Sequence, residues 1–147
     1  MTALVAVGVA VTSLVQTPGE PADKTTQRTD ATNATPAETE ARVCDAFDLV
    51  RRAVGVQTNT DLGPDPGAQS AVAANSRLAA LGGGDYLLSR LGPTTAPELA
   101  EAVRSFANDL QDIGMNQLAG VPNTDPNLAT RLTAATDTGQ RIAEMCA

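Results

Sequence analysis

The sequence predicts an all-α fold: a four-helix up-and-down bundle with one short extra helix. Three observations predict it. From Thr35 onward, apolar residues recur at three- and four-residue spacing, the period of an amphipathic helix. The period-2 alternation of β-branched and aromatic residues that marks strands is missing. Finally, cap-then-proline signals recur along the chain: Thr35-Pro36, Asp65-Pro66, Thr95-Ala96-Pro97 and Asp125-Pro126.

The first helix is predicted from Pro36 to about Val56. Thr35 and Glu38 have capping-box spacing, and Val43, Phe47, Val50 and Val54 form its apolar stripe. Glu38 with Arg42, and Asp48 with Arg52, are spaced i,i+4 and support its polar side. A second helix is predicted from Pro66 to Leu81, where Gly82-Gly83-Gly84 ends or sharply breaks it. Asp85 to Leu91 reads as the short extra helix, stopped by Gly92-Pro93. The third long helix is predicted from Ala96 to Ala119, opened by a capping box at Thr95 and Glu98. The fourth is predicted from Pro126 to about Cys146.

The stripes of the last two helices mirror each other. Leu99, Val103, Phe106, Leu110 and Ile113 face Cys146, Ile142, Gly139, Ala135 and Leu132 when the pair is folded as a hairpin. The largest residue, Phe106, then lies over the smallest, Gly139, as dense packing favours.

In an up-and-down bundle the first helix starts and the last ends at the same pole. Cys44 lies two turns into the first helix and Cys146 ends the last, so the sequence predicts a Cys44–Cys146 disulfide. Such a bond needs an oxidising compartment.

The chain has 147 residues, room for one domain, which is assigned to residues 35–147. Residues 17–34 are rich in Thr and Pro, hold no apolar residue larger than Ala, and read as a disordered linker. Residues 1–16 carry an apolar run from Ala3 to Val15. As a helix it spans roughly 24 Å, short of the bilayer's roughly 30 Å core. It reads as a membrane anchor or a signal segment. No basic residue precedes it and no small-x-small cleavage site follows. A stated Met1 that sits inside a longer hydrophobic segment reconciles these facts.

Composition narrows the functional classes. There is no His, so Ser-His-Asp and Cys-His relays are absent. Ten basic residues against seventeen acidic ones, net charge −7, exclude the basic face a nucleic-acid binder needs. Two distant cysteines without His make no zinc signature, and no cofactor or metal is expected. The carboxylate pairs Asp45/Asp48, Asp61/Asp65 and Asp109/Asp112 read as solvated helix faces, because glycoside chemistry needs aromatic sugar contacts. Arg51-Arg52 reads as ion-paired surface. Tyr86, Leu87 and Leu91 are the candidate lining of a groove for a small apolar ligand, a lipid or haem.

Cys44-Asp45-Ala46-Phe47, Ala74-Asn75-Ser76-Arg77-Leu78, Tyr86-Leu87, Pro97-Glu98-Leu99 and Met145-Cys146 together give the chain a family look over about Ala41 to Ala147. It resembles uncharacterised actinobacterial, often mycobacterial, single-pass envelope proteins with a two-cysteine helical domain. That resemblance implies an extracytoplasmic domain on a membrane anchor, and no known activity. Mycobacterial haemophore-like domains also set a cysteine near each end of a small helical fold, but this chain lacks their His and local motifs. The expectation is a non-enzymatic interaction or accessory domain of the cell envelope with a protein partner. The alternative is a small-ligand carrier.

Overall fold

A computed structural model describes residues 34–59 and 65–147. The expected hydrophobic segment over 1–16 lies outside them, as does the expected linker over 17–34 except for Ala34. The described chain is all-α: α1 (Pro36–Asn59), α2 (Pro66–Leu88), α3 (Pro97–Leu118) and α4 (Pro126–Met145). Consecutive helices pack along their lengths, α1 on α2, α2 on α3 and α3 on α4, whereas α1 and α4 meet only sparsely.

Local chemistry starts three of the four helices as the sequence predicts. At α1 the Thr35 backbone N–H and hydroxyl each donate to Glu38 Oε2 at 2.8 Å, and the Glu38 N–H donates back to Thr35 Oγ1 at 3.3 Å. Asp65 accepts from the Gly67 N–H at 3.0 Å, and Asp125 from those of Asn127 and Leu128 at 2.9 and 3.1 Å. These bonds satisfy donors that have no partner inside the helix. At α3 the expected capping box does not form. Ala96 is the cap residue and offers no side-chain bond. Thr95 is buried and accepts instead from the Gly92 N–H at 2.9 Å, closing the turn before the helix.

The α1 capping box holds the Glu38 carboxyl below its usual range. The Thr35 backbone N–H is the largest cause, then its hydroxyl, with a smaller attraction from Arg42. A lowered folded-state pKa stabilises the fold above the unfolded value, and this is lost as pH falls through the folded one. Acidification from about pH 6 to pH 3 is therefore expected to cost the Thr35→Ala variant less than the parent. Thermal melts across that window check this.

The glycine triplet does not break α2, and there is no separate short helix: Pro66–Leu88 is continuous. Packing explains the correction. A Cβ at Gly83 would sit 2.7 Å from Val50 Cγ1 of α1. One at Gly84 would sit 2.7 Å from the Ala107 carbonyl oxygen and from Gln111 Cγ of α3. The two glycines let α1 and α3 approach α2 from either side, and that contact outweighs their weak helix propensity of roughly 1 kcal/mol each. Gly84→Ala is expected to lower stability by about 1–3 kcal/mol, as overpacking against backbone does. A denaturant titration measures it.

Val43, Phe47, Val50, Leu87, Val103 and Ile142, each at most 3% exposed, lie at the heart of the core. Phe106 lies over Gly139 as the hairpin register predicts, with its Cε2 3.3 Å from where a Gly139 Cβ would stand. It also meets Phe47 edge-on, ring centroids 5.5 Å apart and planes at 66°. Cys44 and Cys146 are joined as predicted, their Cα atoms 5.6 Å apart across 102 residues.

Candidate functional site

Three surface features can be built from these elements. The first is an open depression of about 610 Å³ along the outer side of α1 and α2. Tyr86 lines it, with Arg42, Asp45, Arg52 and Arg90 among its neighbours. The groove expected from Tyr86, Leu87 and Leu91 does not form. Consecutive helical residues diverge by about 100°, so Leu87 points into the core and is fully buried, and Leu91 packs against that core. Only Tyr86 is left on the depression. Its ring face is covered by the Arg90 guanidinium, 4.3 Å above the centroid.

Charges of both signs line this depression. Asp48 pairs with Arg51 at 3.3 Å and not with Arg52, the partner expected from i,i+4 spacing. Glu38 is committed to Thr35. Such exposed pairs contribute little to stability. The other carboxylate pair on described residues is structural. Asp109 of α3 accepts from Arg131 of α4 at 3.0 Å, and Asp112 pairs ionically with the same guanidinium nitrogen at 2.8 Å. Asp61 lies outside the described residues. Among them, no three His, Cys, Asp or Glu residues are placed to hold a metal ion.

The second feature is the seam between α1 and α4. Beside the disulfide the two helices part, leaving a groove of about 270 Å³ walled by Phe47, Phe106, Ala135, Gly139 and Ala143. Arg51 stands at its edge, 6.0 Å from the Phe47 ring centroid. Sequence reasoning expected a groove near Tyr86 and did not find this one between α1 and α4. The usable signal was the small-residue stripe of α4. Ala135 and Gly139 accommodate α3 and leave no bulk to reach α1.

The third feature is convex. Among the described residues Leu78 is the most exposed large apolar one, at 69%, followed by Val56 of α1 at 60% and by Met115 and Leu118 of α3 at 57% each. Leu81 and the Arg77 carbonyl of α2 press on Gly114 of α3. The outward side of α2 reads Ala71, Ala74, Asn75, Leu78 and Gly82, all exposed. Arg77 is the only charged residue between Asp65 and Asp85. Gln69, Ser70 and Asn75 are the exposed uncharged polar residues of this stretch. The sequence reading placed Leu78 in the helix and did not see that it would face outward.

Fold and surface thus define a class: an all-α bundle closed by one disulfide, with an apolar outer face on α2 and α3. No family model, curated protein or solved structure matches the chain.

Proposed function

We propose that the protein is a non-enzymatic interaction domain, the extracytoplasmic accessory module of a membrane-anchored cell-envelope protein. The observation that carries the reading is the exposed apolar face of Leu78, Met115 and Leu118 on a bundle whose core is otherwise filled. Contiguous apolar surface on a soluble domain marks a contact site. The Cys44–Cys146 bond supports an oxidising compartment. None of the described helices is long and apolar enough to cross a membrane. In this reading the tether falls to the Ala3–Val15 run.

Native mass spectrometry of the chain, isolated from its host's membranes in mild detergent without reductant, tests the proposal. A second polypeptide in stoichiometric amount is expected, and Leu78→Glu should lose it. Isolation of the chain without any polypeptide partner would overturn the reading.

The groove between Phe47 and Phe106 favours a second reading, carriage of a small apolar ligand. Its volume of about 270 Å³ lies just below the roughly 300–1,000 Å³ of typical ligand sites. A discrete small-molecule mass in the same spectrum, absent from Gly139→Leu, would support it.

A further inference from the structure

We infer that the open depression along α1 and α2 binds a phosphoryl group, held between the guanidiniums of Arg42 and Arg90.

The register of the two helices is the first reason. A Cβ at Gly92 would stand 3.5 Å from Thr39 Cγ2, and one at Gly83 would stand 2.7 Å from Val50 Cγ1. The chain therefore returns antiparallel to α1. Arg42 lies three residues after Thr39, and Arg90 lies two before Gly92. The two arginines thus occupy one level, and both line the depression of about 610 Å³. Like charges set at one level repel. In a chain of −7 with only ten basic residues, an anion between them turns that repulsion into attraction.

Unmet hydrogen bonding is the second reason. Among the described residues, Arg90 Nε is the buried side-chain polar atom that has no hydrogen-bond partner. Buried donors are normally paired, and leaving one unpaired is costly. The Tyr86 ring, 4.3 Å from the Arg90 guanidinium carbon, holds the group in place but accepts no bond at its edge. Arg42 also closes no ion pair among the described residues.

The carboxylates of the lining do not fill the gap. Asp48 is paired with Arg51 at 3.3 Å. Glu38 accepts from Thr35 and attracts Arg42 without pairing with it. Asp45 follows Arg42 by one turn, is exposed, and closes no ion pair. A carboxylate is filled by one two-pronged guanidinium. A phosphoryl group presents oxygens on several sides and takes a fork from each of two. Arg52 lines the depression too, but it stands roughly 15 Å further along α1, outside the pair.

The test is titration of the full 147-residue oxidised chain, in nonionic micelles, with inorganic phosphate. Backbone and arginine Nε–H resonances report binding. The Arg90 Nε–H is expected to shift saturably, and binding should weaken as salt is raised. Arg42→Gln and Arg90→Gln should each weaken it about tenfold, as loss of one charge-assisted bond does. Arg52→Gln should weaken it by less than about threefold, as a distant exposed charge does. Asp45→Asn should tighten it, because a repelling carboxylate is removed. Arg42→Gln leaves Arg90 on Tyr86 and keeps the test decisive if Arg90→Gln fails to fold. A second arm replaces phosphate by phosphatidic acid doped into the same micelles. Saturation by inorganic phosphate assigns free phosphate to the site, and saturation by phosphatidic acid alone assigns a lipid headgroup. No saturable shift in either arm would overturn the site. So would equal losses from Arg52→Gln and Arg42→Gln, which mark diffuse attraction instead of a built pair.

Discussion

Cys146→Ser is expected to lower the unfolding free energy by about 4.7 kcal/mol, the chain-entropy value for a closed loop of roughly 100 residues. The loop here spans 102 residues. At about 4 °C per kcal/mol for a domain of this size, the melting temperature should fall by close to 20 °C. The structure explains why little compensates for the loss. α4 is packed against α3 but meets α1 only sparsely, so the bond is the principal tie closing the fourth side of the bundle. Circular-dichroism melts of the parent with and without reductant, beside the variant, measure the effect. Reduction and substitution should agree. A fall of only a few degrees would mean that α3 alone secures the last helix.

Phe47→Ala should be nearly as costly, at about 3–5 kcal/mol, the usual range for a buried phenylalanine. The chain has only two Phe and one Tyr, so no neighbouring aromatic can fill the void. Phe47 is 1% exposed and is the edge-to-face partner of Phe106, a geometry worth roughly 0.5–1.5 kcal/mol beyond area. Its removal would also open the core into the seam groove it walls. Phe47→Leu should retain more than half of the stability lost on truncation to Ala. Urea titrations of the two variants give the comparison. Equal losses would show that ring shape, rather than buried volume, holds α1 in place.

The ends and stripes of the helices were legible because they depend on neighbours in sequence. Asp65 and Asp125 cap through bonds two or three residues away, and the Phe106–Gly139 register follows from two adjacent helices joined by a short turn. The α2 triplet was misread because its justification is not local. Gly83 answers to Val50, and Gly84 to Ala107 and Gln111, residues remote in sequence. Thr95 shows the same limit, since its hydroxyl chose the Gly92 N–H over the helix start. The candidate site was legible only in part. Tyr86 lines a depression, but Leu87 was assigned to it without regard to the turn that separates successive side chains. The apolar face of α2 escaped because an apolar residue in a helix reads equally well as core. Only the burial of its neighbours shows that Leu78 faces outward.

The disulfide also decides how the domain bears tension. Cys44 lies two turns into α1, and Cys146 caps the C-terminal end of α4. A pull applied at Ala34 travels through the first turns of α1 to Cys44 and there divides. Part continues along α1, and part crosses the bond into the end of α4. The load is thus shared between two helices before it reaches α2 and α3, the pair that carries the exposed leucine and methionine. In the oxidised chain, stretching from that end should leave the outer face of α2 and α3 in shape long after a reduced chain has begun to peel helix by helix.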